Sequence, residues 1–222
     1  MRLYQNPQSK IQNPQSKTEQ TTAATDALLA VIALAYAGRL VGRREWRARV
    51  WVGMFSALGF ASALGAVVHG LPISQRVHNA LWKFLYLSLG VVVALFVTTA
   101  TADGWGERAG RRTLPLMLLT ALGFYGASQR LARGFLVFIV YEAVALLYAL
   151  AVYTQLARGG RLAGAHLIAA GILLSIIAAA VQATAMQADI LGLPFDHNGL
   201  FHLVQIAGLP VLAAGIETSL NP

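Results

Sequence analysis

Apolar residues in this chain gather into runs of about twenty, the length an α-helix needs to cross the hydrocarbon of a bilayer, separated by short polar segments. Seven such runs can be drawn: about Thr22 to Val41, Val50 to His69, near Asn79 to near Thr101, Leu114 to about Ala127, Phe135 to Leu156, Leu162 to about Ala188, and Gly199 to Glu217. The fourth is the shortest. The connections are brief, so neighbours in sequence are expected to be antiparallel neighbours in space. No stretch reads as a soluble domain. The expected fold is an all-α integral membrane protein, a bundle of seven transmembrane helices occupying residues 22–222.

Residues 1–21 differ from the rest. Gln5 to Lys10 reads QNPQSK, and Gln12 to Lys17 repeats it. The repeat holds prolines and almost no apolar positions, so it is not a coiled-coil heptad. It cannot bury enough surface to fold, and a disordered low-complexity tail is expected. No charged segment leads into a short apolar core with a cleavage site, so a signal peptide is not expected.

Composition agrees with a bilayer environment. Hydrophobic residues make up 57% of the chain and charged residues 12%, about half the charged share of a soluble domain. Cysteine is absent, which excludes disulfides and thiolate metal sites. The net charge of +8 comes largely from arginines in short loops. That is the pattern of topology determinants and lipid headgroup contacts, not of nucleic-acid binding.

The basic residues also orient the chain. Arg39, Arg43, Arg44, Arg47 and Arg49 follow the first run; Arg108, Arg111 and Arg112 follow the third; Arg158 and Arg161 follow the fifth. These three loops share a side. The opposite side has Arg76, Lys83, Arg130 and Arg133 in or near its loops. The positive-inside rule then places the N-terminus outside and the C-terminus in the cytoplasm, in the plasma (inner) membrane. The Arg39–Arg49 cluster reads by default as a pure topology anchor.

With this threading, His69, His78, His197 and His202 fall on the outer side, and only His166 falls inside. Glu142, Gln182, Gln187, Asp189, Asp196 and Gln205 lie in the same outer half. Neutral imidazole is the commonest zinc ligand, and carboxylates can complete the shell. The candidate metal ligands are His69 and His202, with a third from His197, His78, Asp196 or Asn198. Asp196 and Glu142 are candidates for proton transfer. Each has a plainer reading: Asp196 as a helix cap, Glu142 as the partner of Lys83, and Gln182 and Gln205 as interhelical hydrogen-bonders. Small residues recur every fourth position at Ala57, Ala61 and Gly65 and at Gly171, Ser175 and Ala179. These stripes predict that the second and sixth spans are central.

A His at the outer end of the second span, and the sequence Asp196-His197-Asn198-Gly199-Leu200-Phe201-His202 at the start of the seventh, resemble the CREST superfamily of membrane hydrolases. That superfamily includes the alkaline ceramidases and the progestin and adipoQ receptors. The resemblance implies that His202 and His69 are zinc ligands and that a zinc-bound water cleaves a lipid amide or ester. Three positions depart from the pattern. Asn198 stands where the first histidine of the last span is expected, with His197 one position earlier. Gly65 stands where a serine is expected. The third-span aspartate has no counterpart among Asn79, Trp82, Lys83 and Tyr86.

Three functions follow from different classes. The first is a zinc-dependent membrane hydrolase acting on a lipid. The second is a non-enzymatic receptor, sensor or assembly factor with a polar pocket. The third is a bis-histidine haem protein using His69 and His202. The partners expected are membrane lipids and no nucleic acid.

Overall fold

The computed structural model describes residues 16–130, 134–184 and 186–221. The sequence repeat and Arg133 lie almost wholly outside them. The described chain is seven helices and one small hairpin: α1 (Lys17–Leu40), α2 (Trp46–Gly70), α3 (Gln75–Trp105), α4 (Glu107–Arg130), α5 (Gly134–Arg158), α6 (Ala165–Gln182), β1 (Ala188–Ile190), β2 (Leu193–Phe195) and α7 (His197–Ser219). Six of these, all but α4, are long and apolar enough to cross a membrane. The protein is a helical membrane bundle.

Local sequence sets the boundaries. α1 begins earlier than hydropathy suggests, because Ser16 caps the helix by accepting from the Glu19 backbone N–H. A serine three residues before a glutamate is the capping-box pattern. Lys17 to Thr21, assigned above to the tail, are therefore helical. α2 stops where Leu71, extended ahead of Pro72, leaves the helix. α3 and α4 are joined by Gly106 alone, whose φ of +92° is open to glycine and strained for other residues. α6 ends at Gln182, short of the expected Ala188, because β1 and β2 pair antiparallel as a hairpin over the next residues. The hairpin turns at Leu191 and Gly192, both at positive φ, as a two-residue type I′ turn requires.

The helices form a closed ring. α1 packs on α2, α2 on α3, α3 on α5, α5 on α6, α6 on α7, and α7 on α1. α4 lies outside the ring against α3 and α5. Glycines set the closest approaches: Gly59 faces Ala30 and Leu34, Gly171 faces Leu212, and Gly215 faces Ile168. The stripe on α6 thus meets α7, but neither α2 nor α6 is central: α2 packs chiefly on α1 and α3 and exposes Phe60, and α6 packs chiefly on α5 and α7 and exposes Leu173 and Ile177. The core is densest at the arginine end, where Trp51, Phe55, Tyr153 and Ile216 are fully buried.

That end is tied by charge. Arg47 pairs with Asp103 at 2.7 Å and donates to the Ser219 carbonyl at 2.6 Å. Tyr153 donates to the other Asp103 oxygen at 2.7 Å. Arg43 donates to the Leu220 carbonyl at 2.9 Å, and Arg39 pairs with Glu217 at 3.0 Å. Carbonyls at a helix C-terminus lack intrahelical donors, and arginines from the α1–α2 turn supply them to α7. The Arg39–Arg49 cluster is therefore more than a topology anchor. The four histidines His69, His78, His197 and His202 sit at the opposite end, and His166 sits at the arginine end.

Candidate functional site

The ring encloses a cavity of about 180 Å³, lined by all six of its helices and not by α4. Its wall changes character with depth. At the histidine end stand His69, Trp82, Gln182, Asn198, Asp26 and His202. About two turns deeper come Ser62, Ser175 and Gln205, and α5 contributes Glu142. The floor is apolar, made of Met54, Phe96, Leu146, Leu209 and Leu212. From His69 down α2 to Met54 is roughly 22 Å at 1.5 Å per residue, most of the depth of a ~30 Å hydrocarbon layer.

A buried polar contact on the cavity wall lies between α1 and α7. His202 is 8% exposed and Asp26 5%, and Nε2 of the imidazole lies 3.2 Å from Oδ1 of the carboxylate. On the other side of the ring, Nδ1 lies 3.1 Å from the Thr25 hydroxyl. That hydroxyl has one hydrogen and also reaches the carbonyls of Thr21 at 3.0 Å and Thr22 at 2.9 Å. When it donates to a carbonyl, Nδ1–H must donate to it, and Nε2 then shares a proton with Asp26. When it donates to Nδ1, Nε2–H donates to Asp26. In every arrangement both imidazole nitrogens are engaged and one proton is held between Asp26 and His202.

Asp26 escaped the sequence reasoning, although an aspartate inside the first apolar run was its signal. Space for it comes from α2: a Cβ on Gly65 would lie 2.6 Å from Asp26 Oδ2. The absence of a side chain at Gly65 is what admits this carboxylate.

The other expected site residues are placed as follows. His69 lines the cavity with its ring edge-on to Trp82, centroids 5.9 Å apart. Glu142 also lines it, but the expected pairing with Lys83 is not formed. Lys83 is exposed, and among the described residues Glu142 has neither ion pair nor hydrogen bond. Lys83 is adjacent in sequence to the cavity-lining Trp82, and adjacent residues diverge by ~100° on a helix. His197 is the first residue of α7, half-buried, and not on the cavity wall. Asp196 is likewise off the wall. It caps α7, accepting from the Gly199 N–H at 2.9 Å and from the Thr22 hydroxyl at 2.9 Å. His78 accepts from the Trp82 indole at 3.2 Å. Gln182 bonds Asn198 at 3.1 Å and Gln205 bonds Ser175 at 3.1 Å, both across α6 and α7 as expected.

The donors do not fit a zinc set as they stand. His202 has both nitrogens committed, the Asn198 carbonyl oxygen accepts from Gln182, and His197 lies off the cavity. Among the described residues no three His, Asp or Glu side chains converge as metal ligands. With both nitrogens in contact with Thr25 and Asp26, His202 likewise presents no unengaged nitrogen to a haem iron.

No curated protein and no solved structure matches the chain. A family's sequence model matches residues 21–221, nearly all of the bundle and hairpin, so the chain belongs to DUF6962, a family of unknown function.

Proposed function

We propose that this protein is a non-enzymatic membrane receptor or sensor that binds a single-chain amphiphile inside its helical ring. The chain of the ligand lies on the apolar floor and its polar head meets the histidine end. The supporting observation is the gradient of the cavity wall, from Asp26, His69 and His202 to Met54, Phe96 and Leu212. An amphiphile matches such a gradient, because each of its ends meets surroundings of its own polarity. Against hydrolysis, both His202 nitrogens are engaged, and the hydroxyl that Nδ1 meets, that of Thr25, does not line the cavity. The test is non-denaturing mass spectrometry of the detergent-purified protein, beside Ala145→Phe and Ala61→Leu, which fill the cavity. Retention of a lipid-sized mass by the wild type and its loss in both variants is expected. Equal retention by all three contradicts the reading.

In this reading α4 is a seventh span. It runs antiparallel along α3, with Gly110 against Ala102 at one end and Gly90 against Ala121 and Phe124 towards the other. At 24 residues it is about 36 Å long, and Leu116, Leu119 and Leu122 face outward as lipid-contacting residues do. The clustered arginines favour a cytoplasmic arginine end and an N-terminus outside. Because the chain lacks cysteine, Ser74→Cys and Gly159→Cys can be probed singly in intact cells with an impermeant maleimide. Labelling of the first alone is expected; labelling of the second alone reverses the orientation.

A further inference from the structure

Among the described residues two carboxylates line the cavity, Asp26 and Glu142, and no lysine or arginine does. Asp26 faces His202. Glu142 has no such counterpart among the described residues, and the wall around it is aromatic and aliphatic. Trp82 and Tyr86 lie 5.7 Å apart on the neighbouring stretch of α3, both presented to the cavity. An ionised carboxylate at membrane depth calls for a positive partner, and aromatic faces attract cations. The His69 imidazole, also without a hydrogen bond among the described residues, can accept from an N–H. An anionic headgroup would meet two carboxylates and, among the described residues, no arginine or lysine.

We propose that the ligand of this cavity is a long-chain cationic amine, with Glu142 as its counter-ion and Trp82 and Tyr86 as its aromatic wall. This rests on the amphiphile reading and narrows it to one headgroup chemistry. The test titrates the full-length purified protein with a primary alkylamine and with the alcohol and carboxylic acid of the same chain length. Bound stoichiometry is read by non-denaturing mass spectrometry for the wild type, Glu142→Gln, Glu142→Asp and Ala145→Phe. The wild type is expected to favour the amine over the alcohol by roughly tenfold or more, the equivalent of ~1.4 kcal/mol. Glu142→Gln should erase that preference while still binding the alcohol, and Glu142→Asp should keep part of it. An amine preference that survives in Glu142→Gln, or amine and alcohol binding alike in the wild type, overturns the inference and leaves the amphiphile reading standing. Failure of all three compounds to bind, or binding unchanged in Ala145→Phe, overturns both.

Discussion

Replacing Gly65 with alanine tests whether the space beside Asp26 is built for the carboxylate. The added Cβ would lie 2.6 Å from Oδ2 and 2.8 Å from both Cγ and Oδ1. To reach even a tight 3.4 Å contact, the carboxylate must retreat by about 0.8 Å. Its 3.2 Å approach to His202 does not survive a displacement of that size unless α7 follows. Overpacking costs about 1–3 kcal/mol, and a chain of this length loses roughly 2–4 °C in Tm per kcal/mol. The expected result is a melting point lower by about 2–12 °C, read by differential scanning fluorimetry in detergent. The decisive comparison is in an Asp26→Ala background, where the clash partner is gone and most of the Gly65→Ala penalty should vanish. Gly59→Ala supplies the control. Its Cβ would meet Leu34 at 2.6 Å, so its penalty should be the same with and without Asp26. A Gly65→Ala penalty that persists unchanged in Asp26→Ala refutes the reasoning.

Three further outcomes are expected. Arg47→Met leaves Asp103 buried without its cation and frees the Ser219 carbonyl, for a loss of about 3–5 kcal/mol; chemical unfolding should show Arg47→Met with Asp103→Asn more stable than Arg47→Met alone. Gly106→Ala forces a Cβ onto a φ of +92° between α3 and α4 and should cost ~1–3 kcal/mol in the same assay, whereas Gly123→Ala, inside α4 with nothing within 4 Å of its Cβ, should stabilise by ~0.5–1 kcal/mol. Leu191→Asn puts a residue suited to positive φ at the first turn position of the hairpin, and slower amide exchange at Ile190 and Leu193 should follow; unchanged or faster exchange contradicts the turn assignment.

Six of the seven helices were legible in the sequence because each is a long apolar run; α4 carries only a short one. The separation of histidines from arginines was legible too, since alternating direction fixes which loops share an end. His69 and His202 accordingly meet one cavity. Contacts set by rotation about a helix axis were not legible. Lys83 and Glu142 both fall in the histidine-end half, yet Lys83 points out and Glu142 points in. His197 falls off the wall that its neighbour Asn198 lines. Asp26 was the clearest omission. Its partner His202 lies almost the whole chain away, and Gly65, which accommodates it, looks like any small residue on a packing face. The end of α6 was misplaced because Ala183 to Ile190 remains fairly apolar, and only the turn at Leu191 and Gly192 separates strand from helix.

The arginine end and the histidine end do different work within one ring. Arg39, Arg43 and Arg47 lock α7 to the α1–α2 turn, and the core there is fully packed. The opposite end spends its polar residues around a cavity, with the α7 cap at Asp196 stapled to Thr22 of α1. A rigid end and a hollow end suit a bundle that binds in place.

The central claim is that an amphiphile lies in the ring with its head at the histidine end. Photolabelling with two alkylamines, one carrying a diazirine at the chain terminus and one beside the headgroup, tests it most directly when the labelled peptides are mapped by mass spectrometry. The account predicts terminal labels around Met54, Phe96 and Leu212, and headgroup labels around His69, Trp82 and Asn198. Labels from both probes confined to the outward leucines of α4 and α6 would contradict it.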